Sequence, residues 1–260
     1  MRKFWFLVLV CCLCTVPAAA PAADGVGTRV AAWAWGANQP WETKYDITET
    51  DTYSHYLGIQ ATSGTSTAIS DAQVTLGTVK LYSYSSAWDG EAYSTVWGDF
   101  WWDMTINSGP AGTQGTYKPQ IWVGGSESAS ADCMAGHSLE VFKNNIKYGS
   151  WVGGYMGSSY TGYPLNQMYT ATIPITFGVP FSMYVATWAQ TTMDATTNMG
   201  NSVYWMGFAE VRDASGNLVT DYTVQSASGI DWSQPIPEPS GMLALLGGLG
   251  SLGVLWRRRR

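Results

Sequence analysis

Between residues 24 and 235 the chain repeatedly alternates apolar and polar positions with a period of two. In Thr116 to Val123, the side chains of Tyr117, Ile121 and Val123 fall on one face, with Lys118 and Gln120 opposite. Leu218, Tyr222 and Val224 oppose Asp221, Thr223 and Gln225 in the same way. That period is the mark of a half-buried β-strand. Further strand-like runs lie near Thr28–Trp35, Val74–Tyr84, Tyr93–Ile106, Tyr169–Phe177, Phe181–Ala189 and Val203–Val211. Pro119 falls inside its run and predicts an edge strand, because proline has no N–H to give a ladder. No helical stripe runs through this region.

The connections carry turn chemistry. Asp89-Gly90 is a tight-hairpin signal, since both positions tolerate positive φ. Asn144-Asn145 predicts a turn between Ser138–Lys143 and Ile146–Val152, and Asp213 to Asn217 a turn between the last two strands. Gly109 to Gly115 and Gly153 to Pro164 read as loose loops. Many short strands with regular turns predict an antiparallel β-sandwich. About 210 residues suffice for one such domain with a sizeable core.

The two ends follow a different pattern. Arg2 and Lys3 precede an apolar run from Phe4 to Leu13, then small residues at Ala18 to Ala20, Ala22 and Ala23. This is the layout of a signal peptide over residues 1–23. Near the other end, Pro237-Glu238-Pro239 is followed by an uncharged stretch, Met242 to Trp256, and by Arg257, Arg258, Arg259 and Arg260. The apolar stretch partitions into lipid, and the four arginines resist crossing and act as a stop-transfer signal. As a helix, 242–256 spans about 22 Å, short of the roughly 30 Å hydrocarbon core. Snorkelling arginines close part of that gap. A short C-terminal transmembrane helix is expected, serving as a weak anchor.

With the ends removed, the body holds seven basic and eighteen acidic residues, a net charge of −11 hidden by the whole-chain value of −6. This acidity argues against nucleic acid, which needs a basic patch, and against docking on anionic lipid. Cys133 is the body's one cysteine, so no internal disulfide supports the fold.

Pro-Glu-Pro, short apolar helix, arginine cluster and chain end, in that order, closely resemble the PEP-CTERM sorting signal. The tail is also catalogued as an ice-binding-protein C-terminal domain, a label that by itself supports no ice binding. The resemblance implies a Gram-negative bacterium and an exosortase-type enzyme that cuts near the tripeptide 237–239. It also implies exopolysaccharide production, and a protein anchored at the inner membrane before processing, then released to the cell surface or beyond. Gly178-Val179-Pro180-Phe181, the Asp194 to Asn201 region, Val211 to Asn217 and Ser226-Ala227-Ser228-Gly229-Ile230-Asp231-Trp232 resemble the bodies of many PEP-CTERM proteins. That second likeness covers the last third of the body and implies a jelly-roll-like sandwich. The expected division is therefore 1–23 signal peptide, 24–235 β-sandwich and 236–260 sorting segment.

Candidate chemistry is thin. A glycosidase needs two carboxylates about 5–9.5 Å apart. Asp99 and Asp103 share a strand face but stand roughly 13 Å apart along it, too far without help from another strand. Asp89 and Glu91 flank the Asp-Gly turn. Cys133 and His137 have the spacing of two zinc ligands, but a structural zinc wants four and only His55 remains as another histidine. Calcium stays a candidate at Asp194 to Asn201 and Asp213 to Asn217, where a turn role is the plainer reading. No G-x-S-x-G elbow is present. Aromatics are the strongest remaining signal, with twelve of fourteen tryptophans in the body. Trp33 and Trp35 share a face, and Tyr184 and Trp188 lie opposite Phe181, Met183 and Val185. These four are candidate glycan-binding residues, because exposed rings stack on sugars; the plainer role is core packing.

The expectation is a non-enzymatic exported surface or matrix protein associated with exopolysaccharide, with no resident metal or cofactor. A carbohydrate-binding module is the first alternative. A sandwich glycosidase is the second, and would show as two carboxyl groups in one aromatic-lined cleft.

Overall fold

The computed structural model describes residues 24–36, 42–50, 54–88, 90–200 and 203–236. The expected signal peptide, the Pro237-Glu238-Pro239 motif, the apolar stretch 242–256, Arg257 to Arg260 and Asp89 lie outside the described residues. The described chain is all-β, with antiparallel pairing throughout. Its strands are β1 (Gly25–Trp35), β2 (Glu42–Thr50), β3 (Ser54–Ser63), β4 (Ser66–Thr75), β5 (Thr78–Ser86) and β6 (Glu91–Asn107). Next come β7 (Gln114–Val123), β8 (Ser126–Ala129), β9 (Met134–Lys143), β10 (Ile146–Met156), β11 (Ser159–Gly162) and β12 (Gln167–Thr170). The last are β13 (Ile173–Thr176), β14 (Phe181–Thr192), β15 (Ala195–Asn198), β16 (Val203–Asp213) and β17 (Thr223–Ser226).

Eight strands form one sheet in the order β11-β10-β9-β14-β6-β1-β2, with β17 also on β6. Nine form the other, in the order β12-β7-β16-β5-β15-β8, with β13 on β7 and β3-β4 on β5. The two sheets stack through one core drawn from both.

The core changes in size along β6. Its inward positions run Ala92, Ser94, Val96, Gly98, Phe100, Trp102, Met104 and Ile106, all buried. At the small end, hydroxyls bridge the sheets. Ser70 Oγ donates to Ala31 O at 2.7 Å and lies 2.7 Å from Ser94 Oγ. Ser83 Oγ lies 2.8 Å from Ser94 Oγ and 3.0 Å from Thr191 Oγ1. Buried Ala32, Ala34, Ala61, Ala68 and Ala92 pack beside them. Small side chains permit this close approach, and the mutual hydrogen bonds offset the cost of burying the hydroxyls. In the middle, a Cβ on Gly98 would collide with Val79 and lie 2.8 Å from Val74 Cγ2.

At the large end, indoles fill the gap. Trp102 stacks on Trp232 with centroids 4.0 Å apart and planes 10° apart. Trp205 meets Trp102 edge-on at 4.7 Å and donates from Nε1 to Trp232 O at 2.7 Å. Trp232 comes from the C-terminal segment, which the rest of the body holds in place. Phe208 N donates to Ser233 O, and Ile236 N to Trp205 O at 3.3 Å. Asp24 ties both ends of the body together: one carboxylate oxygen accepts from Asp103 N and the other from Ser228 N, each at 3.0 Å. These bonds sit where β6 passes from pairing with β1 to pairing with β17.

Several sequence expectations change. Strand β7 is not an edge, because β12 and β13 flank it on one side and β16 on the other. Pro119 falls between the β12 and β13 pairings and faces an irregular register in β16 near Phe208. Its missing N–H therefore breaks no regular ladder on either side. The run Val74–Tyr84 is a hairpin, turning at Leu76-Gly77 where Gly77 has φ +79°. Gly153 to Pro164 is largely a second hairpin, β10–β11, with Tyr155 and Tyr160 ring-to-ring at 5.0 Å. Asn144 and Asn145 do form the expected turn, with φ of 47° and 63°.

Gly98→Val is expected to destabilise the fold by about 1–3 kcal/mol through overpacking. A chemical denaturation midpoint equal to that of the native protein would contradict this reading of the core.

Candidate functional site

Alternation sends every second residue of the eight-stranded sheet outward, and the register aligns those residues in rows across the strands. One row reads Trp101, Tyr184, Phe142 and Lys147. The next reads Gly27, Asp99, Ala186, Glu140 and Ser150. A third reads Arg29, Trp97, Trp188, Ser138 and Val152. Further along lie Trp33 opposite Tyr93, and Trp35 opposite Glu91.

The four aromatic candidates thus lie on one face. Trp33, Trp35, Tyr184 and Trp188 are all half-buried and point away from the core. Trp188 sits directly across from Trp97, and Tyr184 from Trp101. Trp97 was not singled out in the sequence, although the period of two within Tyr93–Ile106 places it on the face of Tyr93 and Asp99. Tyr93 donates to Glu91 Oε2 at 3.2 Å, and its hydroxyl pKa is pushed up to about 12, first by burial and then by the Glu91 carboxylate.

The middle row holds two carboxylates. Asp99 is buried beside Gly27, where any Cβ would strike its carboxylate, and its Oδ2 accepts from Tyr184 OH at 2.6 Å. Glu140 Oε1 accepts from Lys147 Nζ at 2.5 Å. Lys147 Nζ also lies 5.4 Å from the Phe142 ring centre. Asp99 and Glu140 lie two strands apart with Ala186 between them, about 9.5 Å between backbones at ordinary sheet spacing. Asp103 accepts instead from Ser182 Oγ at 2.5 Å. Both middle-row carboxylates accept hydrogen bonds from neighbouring side chains, and that of Asp99 is covered.

Cys133, His137, Asp194 and Asp213 each have other partners. His137 faces inward, with Nδ1 2.8 Å from Glu127 Oε1, and both side chains are almost fully buried. Cys133 Sγ contacts Ala131 O at 3.4 Å. His55 lies on β3. Asp213 caps its own turn, its Oδ1 accepting from Ser215 N and Asn217 N. Asp194 Oδ1 accepts from Ser86 Oγ and Ala87 N. Among the described residues no three His, Cys, Asp or Glu side chains cluster as metal ligands would.

Beyond the body's last strand, Trp232 to Ile236 are still docked, and the tail begins directly after them. Residues 235–260 match the family described as the PEP-CTERM protein-sorting motif. The chain carries a PEP-CTERM sorting domain. This domain marks an exported protein that an exosortase-type enzyme sorts. The match starts at Pro235, so it overlaps the folded body at Ile236, which packs against Gly77. No curated protein and no solved structure matches the chain. Among the described residues no helix is long and apolar enough to cross a membrane.

Glu127 supplies a pH test. Burial pushes its carboxyl above the ordinary 4.5, and the His137 hydrogen bond offsets part of that rise. A carboxyl raised in the folded state stabilises the fold fully below pH 4.5 and loses that contribution as pH climbs through the raised value. Glu127→Gln has no proton to lose there. Its stability relative to the native protein is expected to improve from about pH 4 to pH 7. Urea midpoints that track each other across this range would contradict the assignment.

Proposed function

We propose that this PEP-CTERM protein is a non-enzymatic component of the cell surface or extracellular matrix, associated with exopolysaccharide. The sorting domain carries the reading, because it directs an exported protein to an exosortase-type enzyme. On this account residues 1–23 are removed as a signal peptide. Residues 242–256 hold the protein briefly at the inner membrane of a Gram-negative cell, with Arg257 to Arg260 on the cytoplasmic side. Cleavage near Pro237 to Pro239 then frees a body shaped as a jelly-roll-like β-sandwich, with no resident cofactor. The docking of Trp232 to Ile236 supports this order, since a cut after Ile236 leaves every core contact of Trp232 intact.

A carbohydrate-binding role is the second reading. The observation favouring it is the shared outward face of Trp33, Trp35, Trp97, Tyr184 and Trp188. Rings presented on a rigid sheet stack against sugar faces at little conformational cost. A glycosidase is less favoured, because Glu140 is engaged by Lys147 and Asp99 by Tyr184.

The intact mass of the protein recovered from cell envelope and culture medium tests the sorting account. The expected species begins near Asp24 and ends near 237–239. A mass that retains Met242 to Arg260 in both fractions would make the tail a standing anchor and contradict the account.

A further inference from the structure

Strand β11 ends the eight-stranded sheet, and all four of its residues are exposed. Its pairing with β10 shows which main-chain groups are taken. Met156 and Ser159 flank the two-residue turn Gly157-Ser158, and Tyr163 N donates to Val152 O at 3.0 Å. Main-chain groups alternate in direction along an antiparallel strand. Ser159, Thr161 and Tyr163 therefore turn theirs toward β10, and Tyr160 and Gly162 turn theirs outward. No strand pairs with that outer side among the described residues. The chain then leaves inward, with Tyr163 O against Gly153 on β10, which keeps the edge open. Natural edges are blunted by charges, prolines or bulges, and the four residues of β11 carry none of these.

The surroundings of this edge differ from the rest of the body. From Tyr148 to Met193 the sequence has no Asp, Glu, Lys, Arg or His, in a body with eighteen acidic and seven basic residues. Val152, Met156, Tyr160 and Tyr163, all exposed, gather on this hairpin and its exit. A charge-poor surface rich in Tyr and Met has the composition of an interface centre. Tyr160 is already held in place. Its ring meets Tyr155 edge-on at 5.0 Å, and its hydroxyl donates to Tyr163 O at 2.7 Å. Covering it therefore costs little side-chain freedom.

We propose that two copies of this protein pair antiparallel through β11, joining their eight-stranded sheets. Register and charge name the occupant. A two-fold axis at Thr161 sets Tyr160 against the partner's Gly162, and the reverse, for about four main-chain hydrogen bonds. Glycine opposite each tyrosine leaves room for the ring. Thr161 faces the partner's Thr161, a pair that favours a sheet surface. Copies of so acidic a body repel one another, and this uncharged edge lets them meet at the least electrostatic cost. The same strand serves both copies, so assembly closes at the dimer. Strands this short bury less than about 1,200 Å² in total, which makes the dimer a weak one.

Sedimentation equilibrium of the purified protein tests this. A dimer is expected to appear with rising concentration, with a dissociation constant of about 10 μM to 1 mM. Thr161→Lys and Thr161→Glu each set like charges face to face and are expected to weaken the dimer about tenfold. An equimolar mixture of the two variants is expected to restore it, because unlike charges then face each other. Near-UV circular dichroism checks that each variant is folded. Thr161→Cys gives an independent reading, since facing residues at this position stand about 4.5 Å apart between Cα atoms, within reach of a disulfide. Mild oxidation is expected to link two copies of Thr161→Cys, and not of Leu218→Cys, which is exposed elsewhere. A protein that stays monomeric at about 1 mM would overturn the proposal. A dimer that both charged variants retain would place the interface on another surface and overturn it too. Loss in both variants without recovery in the mixture, or equal linking of the two cysteine variants, would overturn the pairing at Thr161.

Discussion

The stack of Trp232 on Trp102 is the contact on which this architecture depends. Each indole buries about 150–250 Å² of surface, worth about 4–6 kcal/mol at the usual area coefficient. Trp205 closes the cluster from the side and ties itself to Trp232 through the backbone carbonyl. The Trp102 and Trp232 N–H groups have no acceptor among the described residues. Each such group costs about 1–3 kcal/mol, less than the burial returns. A disulfide-free body needs a contact of this size at the end where the sheets stand apart.

That contact also explains the sequence gradient along β6. Ala92 and Ser94 belong where hydroxyls bridge the sheets, and Phe100 and Trp102 where indoles hold them apart. With both ends of the core set, the eight-stranded sheet is held as a firm platform. Its outer face then keeps Trp97, Trp188 and Tyr184 in fixed rows without any loop to position them. The sorting tail leaves from the docked end of that core.

Much of this was legible in the sequence. The period of two placed Tyr184 and Trp188 opposite Phe181, Met183 and Val185, as the structure has them. The Asn144-Asn145 and Asp213 to Asn217 turns followed from residues that tolerate positive φ or cap their own backbone. The tail followed from residue order alone. Lateral order did not. Nothing local says that β14 lies between β6 and β9, so the shared row of Asp99, Ala186 and Glu140 was hidden. The buried pairing of His137 with Glu127 was hidden for the same reason. Pro119 misled because a proline can also sit at a break between two partner strands, a feature of the neighbours and not of its own run.

The claim most central to this account is that the segment leading into the sorting tail is part of the core. Two bodies starting at Asp24, one ending at Ile236 and one at Gly229, should be compared by chemical denaturation followed by near-UV circular dichroism. The account predicts one cooperative transition with strong indole signals for the longer body, and loss of both for the shorter. Equal midpoints and equal indole signals would show that Trp232 is dispensable and would contradict the account.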